Sequence, residues 1–255
     1  MQAFAVPFLL FVGSLLALQA AANVQLSAAV GSPLGASALQ LGLGAMVLLG
    51  LFIAGQMLAS LALDVTGSLG VEREALDAAA LAGTAAVVAG TALIVRAQAG
   101  DAIARTIRER PALLLLGLTA GAALPVQGAV NAQLRADLDA PLTVAAWSFV
   151  VAAVAMAIVL AGARAPRPSA PALHHVPWWG WLGGLCGATY VTSVFLLIPE
   201  IGVAPTVALT VGGQQIASAL VDRHGWLRLP RRPITPVRLA GVVTLLAGVA
   251  FVQLA

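Results

Sequence analysis

Long apolar runs separated by short polar segments dominate the chain. Runs of about 18 or more apolar residues are typical of helices that cross a membrane, since about 20 helical residues span the hydrocarbon core. The pattern therefore predicts an all-α polytopic membrane protein with about eight transmembrane helices. The predicted spans are about 4–26, 33–63, 75–97, 111–134, 141–162, 178–198, 203–223 and 235–254.

The second predicted span, 33–63, is longer than one crossing needs. As a straight helix it would measure about 46 Å, against a hydrocarbon core of about 30 Å. One tilted or kinked crossing is the favoured interpretation. The alternative is two short legs that form a re-entrant hairpin or a ninth crossing.

Two patterns of amides, glycines and carboxylates occur twice in the chain. Gln19, Asn23 and Gln25 recur as Gln127, Asn131 and Gln133, at an offset of 108. Gly55, Gln56, Ser60 and Asp64 recur as Gly213, Gln214, Ser218 and Asp222, at an offset of 158. Such repeats indicate a duplicated structural unit. The two offsets differ, so the first copy lacks 50 residues (158 minus 108) from its middle.

The duplication predicts a first unit over residues 1–100 with about three helices, a cytoplasmic linker over 101–111, and a second unit over 112–255 with five helices. Both units have an odd number of spans, so they would cross the membrane in opposite senses. This inverted repeat is the design of many secondary transporters.

Composition and charge exclude several classes of protein. Only 9% of the residues are charged and 60% are hydrophobic, whereas a soluble domain has about 25% charged residues. All 13 basic residues are arginines, and 11 of them lie in or beside the loops 97–110, 163–177 and 224–234. Because arginine-rich loops stay on the cytoplasmic side, we interpret this clustering as membrane orientation and expect no nucleic-acid partner.

The expected location is the bacterial cytoplasmic (inner) membrane, crossed several times. The arginine-rich loops would be cytoplasmic, and both the N-terminus and the C-terminus would lie outside.

Several motifs resemble one family. Each unit carries Gln-x3-Asn-x-Gln-Leu followed by a Ser-Pro or Ala-Pro turn. The second unit adds Trp178-Trp179-Gly180-Trp181, Gly213-Gln214 with Asp222, and Leu229-Pro230-Arg231-Arg232-Pro233. Together they are similar to the YdcZ-type branch of the drug/metabolite transporter (DMT) superfamily, in a fused two-unit form with a shortened first unit. The resemblance implies a membrane transporter whose partners are the lipid bilayer and a small molecule, and it allows a homodimer.

Amide side chains at the repeated positions are the candidates for lining a substrate cavity. They are Gln19, Asn23, Gln56, Gln127, Asn131 and Gln214. Amides are costly where they face lipid, so they should face a cavity or a partner helix. The alternative role is that of interhelical hydrogen bonds, each worth about 0.6 kcal/mol on average.

Asp64 and Asp222 are the candidate coupling carboxylates, since a carboxylate inside a membrane is by default a functional hypothesis. Their positions at the ends of spans are also typical of hydrated carboxylates at the membrane interface.

The favoured function is that of an inner-membrane secondary transporter of the DMT type. It would move a small polar or amphipathic molecule through a cavity between inverted halves. The alternative is a non-transporting integral membrane protein, such as a lipid-handling or assembly partner or a scaffold remnant. The chain carries no nucleophile–base pair and no phosphate-binding loop, so we do not expect an enzyme, a cofactor or a metal site.

Overall fold

The computed structural model describes residues 2–30, 42–75, 77–99, 111–162, 177–229 and 231–254, and these residues form eight α-helices and no β-strand. The helices are α1 (Gln2–Val30), α2 (Gly42–Thr66), α3 (Ala78–Ala99), α4 (Pro111–Leu138), α5 (Pro141–Gly162), α6 (Leu182–Ile201), α7 (Val203–His224) and α8 (Pro236–Leu254). The predicted all-α fold is confirmed.

Six of the eight helices are long and apolar enough to cross a membrane, which confirms a polytopic membrane protein. The other two are α2 and α7. In α2 the side chains are described from Gly50 onwards, and the segment Gly50–Thr66 is apolar. Within its described range α2 is one continuous helix of 25 residues, about 37 Å long and sufficient for a single crossing. Residues 31–41, on which the hairpin alternative depends, lie outside the described residues.

The polar helix α7 runs through the centre of the molecule. Fourteen of its 22 residues are buried, so its amides and hydroxyls face other helices instead of lipid. By contrast, α5 lies at the edge and exposes a broad apolar surface that includes Val151, Met156 and Ile158. Exposed apolar side chains of this kind are what a helix presents to the hydrocarbon core.

The three most extensive helix pairs are α3 with α8, α2 with α4, and α1 with α7. Each pair joins a helix of the predicted first unit to a helix of the predicted second unit. The buried core lies among these pairs and includes Ile53, Met57, Val87, Phe195 and Leu209. The two units therefore share one core.

The ends of α2, α4, α6 and α8 come together with the starts of α3 and α7 at one end of the molecule. Asp64 near the end of α2 binds the first turn of α7, and the Gln253 side chain of α8 donates a hydrogen bond to the Pro205 carbonyl. We call this the cavity end. It is opposite to the end that holds the Trp226–Arg228 turn after α7.

Candidate functional site

Repeated glycines make equivalent contacts between helices of the two units. Gly13 of α1 packs on the Thr210 carbonyl of α7, and Gly213 of α7 packs on the Leu10 carbonyl of α1. The pair α2 and α4 repeats this arrangement, with Gly55 on the Leu118 carbonyl and Gly121 on the Phe52 carbonyl. A Cβ at any of the four glycines would overlap the facing carbonyl, so the close approach of the helices requires glycine.

Within the pair α3 and α8, repeat-related glycines of both helices make equivalent contacts. A Cβ on Gly83 would lie 2.8 Å from the Gly248 carbonyl oxygen, and a Cβ on Gly241 would lie 2.8 Å from the Gly90 carbonyl oxygen. Gly83 and Gly241 are repeat partners at the offset of 158, and so are Gly90 and Gly248. The sequence duplication is thus accompanied by a duplicated set of helix contacts.

The turns that follow α2 and α7 also match. Gly67 and Gly225 have φ values of 64° and 67°, in the left-handed region that favours glycine. Leu69 and Leu227, two residues later, have φ values of 58° and 56°. Each turn brings its chain back against the helix end, because the Glu74 amide donates to the Asp64 carbonyl and the Arg232 amide to the Asp222 carbonyl, both at 2.8 Å.

The candidate amides of α4 are bonded to the neighbouring helix. Gln127 Nε2 and Asn131 Nδ2 donate to the Ser148 hydroxyl of α5, at 3.2 and 3.1 Å. In α1, the half-buried Gln19 packs its amide against Gly187 of α6. The helical backbone of Asn23 is described, but its side chain is outside the described part. The described contacts of these amides are interhelical.

Gln56 and Gln214 differ from Gln127 and Asn131 in their hydrogen bonding. They are repeat partners, they are only 1% and 7% exposed, and they lie in the two contacting helices α2 and α7. Among the described residues, neither amide atom of Gln56 and not the amide oxygen of Gln214 has a hydrogen-bond partner. Leaving a buried polar group unsatisfied costs about 1–3 kcal/mol, so such a group calls for an explanation.

The Asp64 side chain caps the N-terminus of α7. Its Oδ1 accepts from the Val203 amide at 2.9 Å and its Oδ2 from the Ala204 amide at 2.5 Å. These two N–H groups belong to the first turn of a helix and have no partner within it, and the helix dipole there favours a negative charge. At 2% exposure Asp64 is a buried cap of the first turn of α7.

Asp222, the repeat partner of Asp64, has other neighbours. Its Oδ2 binds Arg238 Nη2 at 2.6 Å and accepts from Gln98 Nε2 at 3.3 Å. In the predicted duplication, the first-unit counterpart of the turn that Asp64 caps falls in the segment that the first unit lacks. Asp222 therefore has no such turn to cap, and the buried Arg238, whose repeat position is Ala80, neutralises it.

A cavity of about 900 Å³ opens at the cavity end. Of the predicted site residues whose side chains are described, only Asp64 lines it. Its other acidic lining residues, which are not among the predicted site residues, are Glu72, Glu74, Asp77 and Glu200. The signal that could have found them is their position in loops on the arginine-poor side. Burial raises the pKa of Glu74, and the nearby charges of Asp64 and Glu72 raise it further.

The eight described helices, which share one core and enclose a polar cavity at one end, define a polytopic all-α membrane protein. Residues 39–93 and 112–251 match the family described as "Putative inner membrane exporter, YdcZ". The chain belongs to this family, and the resemblance seen in its motifs is confirmed. No curated protein and no solved structure matches the chain.

Proposed function

We propose that this inner-membrane protein exports a small polar or amphipathic molecule through a cavity between two inverted units, which rock against one another to open each side in turn. The matched glycine contacts support this proposal. They pair α1 with α7 and α2 with α4 through repeat-related residues, as expected of two units related by a pseudo-twofold axis. Transporter sites form at such repeat interfaces near the bilayer midplane.

The observation that carries the proposal is the pair of buried amides, Gln56 and Gln214. Each directly follows a glycine that makes one of the matched contacts, and each is buried in one of the two contacting helices α2 and α7, which supports a position between the predicted units. Gln56, Ser60 and Asp64 follow one another at a spacing of four residues on α2, so one helix face carries all three. All three are buried, and Asp64 also lines the cavity. We infer that this polar face is the route from the cavity to the amides, and that Asp64 is the better placed of the two candidate coupling carboxylates.

The test exchanges both amides for a side chain of similar shape without hydrogen-bonding atoms. In proteoliposomes loaded with a panel of neutral, cationic and anionic small molecules, wild type should release at least one compound faster than protein-free liposomes do. Gln56→Met with Gln214→Met should abolish that release without lowering thermal stability, because two unsatisfied buried amides are removed. A double variant that exports at the wild-type rate would refute the proposed site.

The matched control is Gln127→Met, which removes an amide that is bonded to Ser148. It should lower stability slightly and leave export intact. If instead no compound of the panel is released, and the protein co-purifies with a defined lipid or membrane protein, the non-transporting alternative is favoured. The observation behind that alternative is the shortened first unit, in which α6 has no counterpart.

The orientation proposal is that the arginine-rich loops face the cytoplasm, so the cavity opens to the outside. It is tested by Gln2→Cys in a Cys186→Ala background, with a C-terminal cysteine as control. A membrane-impermeant thiol reagent applied to intact cells should label both positions. A labelled C-terminus with an unlabelled position 2 would mean that the region around 33–63 crosses twice, and the inversion of the units would be lost.

A further inference from the structure

The cavity at the cavity end is lined on several sides by carboxylates. Asp64 comes from α2, Glu72, Glu74 and Asp77 from the segment before α3, and Glu200 from the end of α6. None of the described residues that line it is an arginine or a histidine. Two further carboxylates, Asp137 and Asp139, are exposed at the same end, at the end of α4, but they do not line the cavity.

This charge arrangement favours a cation. Like charges around one cavity repel one another, and the pKa of Glu74 is raised first by burial and then by the charges of Asp64 and Glu72. A positively charged guest would relieve the repulsion, whereas an anion would add to it. Among the described residues, no group of three or more His, Cys, Asp and Glu side chains could hold a metal ion together.

The remaining walls are apolar. Leu61, Ala129, Ile198 and Val252 line the cavity together with the carboxylates. A guest that complements both the carboxylates and the apolar side chains has a hydrocarbon body and one or more ammonium groups. A volume of about 900 Å³ is at the upper part of the range of small-molecule sites.

A second observation lies deeper on the same helix. Gln56 lies two helical turns below Asp64 on α2, is 1% exposed, and has no described hydrogen-bond partner for either amide atom. Gln56 does not line the cavity, and the buried Ser60 lies between it and Asp64 on α2.

We propose that the cavity binds organic cations with an apolar body, such as alkylamines and alkyldiamines, and that these are the cargo of the protein. The identification as cargo rests on the proposed export function. Glu72, Glu74 and Glu200 attract the ammonium groups at the mouth, and Asp64 is the innermost carboxylate of the cavity.

The test compares two probes that match in length and differ in charge, 1,8-diaminooctane and 1,8-octanediol. Binding to the full-length protein in lipid nanodiscs is measured by isothermal titration calorimetry, with empty nanodiscs subtracted. The diamine should bind and the diol should not. The affinity should fall as salt is raised, because the attraction between the diamine and the carboxylates is screened.

Glu72→Gln, Glu74→Gln and Glu200→Gln are combined in one variant, since all three side chains are exposed and their loss should not prevent folding. The triple variant should bind the diamine about tenfold more weakly. The matched control, Asp137→Asn with Asp139→Asn, removes charge at the same end outside the cavity and should bind like wild type. Equal binding of diol and diamine, undiminished binding by the triple variant, or no binding of the diamine to wild type would each overturn the proposal.

Failure of this inference is distinguishable from failure of the export proposal. If the diamine does not bind but another compound is exported in a manner that depends on Gln56 and Gln214, cationic cargo is refuted and export stands. If the diamine binds at the cavity but no compound crosses the membrane, export is refuted, and with it the assignment of the cation as cargo.

Discussion

Removing the carboxylate of Asp64 tests whether the two units are joined by a charged helix cap. In Asp64→Ala the amides of Val203 and Ala204 lose their acceptors at the start of α7. In Asp64→Asn one oxygen remains to accept from one of them, but the charge that interacts with the helix dipole is lost. The two variants therefore separate the hydrogen bonds from the charge.

The magnitude follows from two bonds to a buried charged acceptor. A hydrogen bond to a charged group contributes about 1.5–3 kcal/mol, but water in the adjoining cavity can satisfy part of what the alanine variant exposes. We expect a loss of about 2–4 kcal/mol for Asp64→Ala and about half of that for Asp64→Asn. At about 2–4 °C per kcal/mol for a chain of this size, the melting temperature should fall by about 4–16 °C for the alanine variant.

The assay is thermal unfolding in detergent, followed by tryptophan fluorescence and by the loss of the monodisperse peak in size-exclusion chromatography. The matched control is Asp137→Ala, an exposed carboxylate at the same end of the molecule. It should change the free energy of unfolding by no more than about 0.5 kcal/mol. If Asp64→Ala melts within about 2 °C of wild type, the cap is refuted, because the loss of two hydrogen bonds should lower the melting temperature by at least about 4 °C.

Three further changes test the packing, the amides and the acidic loop. Gly241→Ala places a Cβ 2.8 Å from the Gly90 carbonyl oxygen and should lower the free energy of unfolding by about 1–3 kcal/mol. A Cβ at the control position, Gly184→Ala, has no neighbour within 4 Å and should be neutral or stabilising, so equal effects of the two variants would contradict the packing. Ser148→Ala removes the acceptor of two amide donors and should cost about 1 kcal/mol in the same assay, and a neutral result would show that these bonds contribute nothing. Because the pKa of Glu74 is raised, the folded state holds this proton to higher pH than the unfolded state does. The stability of wild type relative to Glu74→Gln should therefore fall as pH rises above 4.5, and a stability difference between the two that is independent of pH would refute the shift.

The helices and the repeats could be predicted because both depend on local patterns of residues along the chain. Apolar runs identify the spans, and α5 and α8 begin within one residue of the predicted starts. Helix α7 was also identified despite its polar residues, since hydropathy over its length still exceeded that of the loops. The repeat offsets located the 50 missing residues from the chain alone. What the pattern left uncertain was the segment around 33–63, where apolar length does not distinguish one crossing from two.

The site depended on contacts between distant segments, and sequence could not specify those. Asp64 and Asp222 are equivalent by repeat, yet one caps α7 and the other binds Arg238, because only the second unit contains the turn that can be capped. Gln56 and Gln127 look alike as amides in apolar helices, yet only Gln127 has a described partner in the neighbouring helix.

The sequence by itself thus determined that this is a multi-span membrane protein of a particular family and predicted its duplication, because hydropathy, repeats and motifs are properties of the order of residues. Only the tertiary structure decided which amides lie unsatisfied at the interface between units, and that carboxylates from three separate segments surround one cavity. The reason is physical: a hydrogen bond or a cavity depends on which helix faces meet. The close glycine contacts that bring these faces together join residues from 63 (118 minus 55) to 203 (213 minus 10) positions apart in the chain.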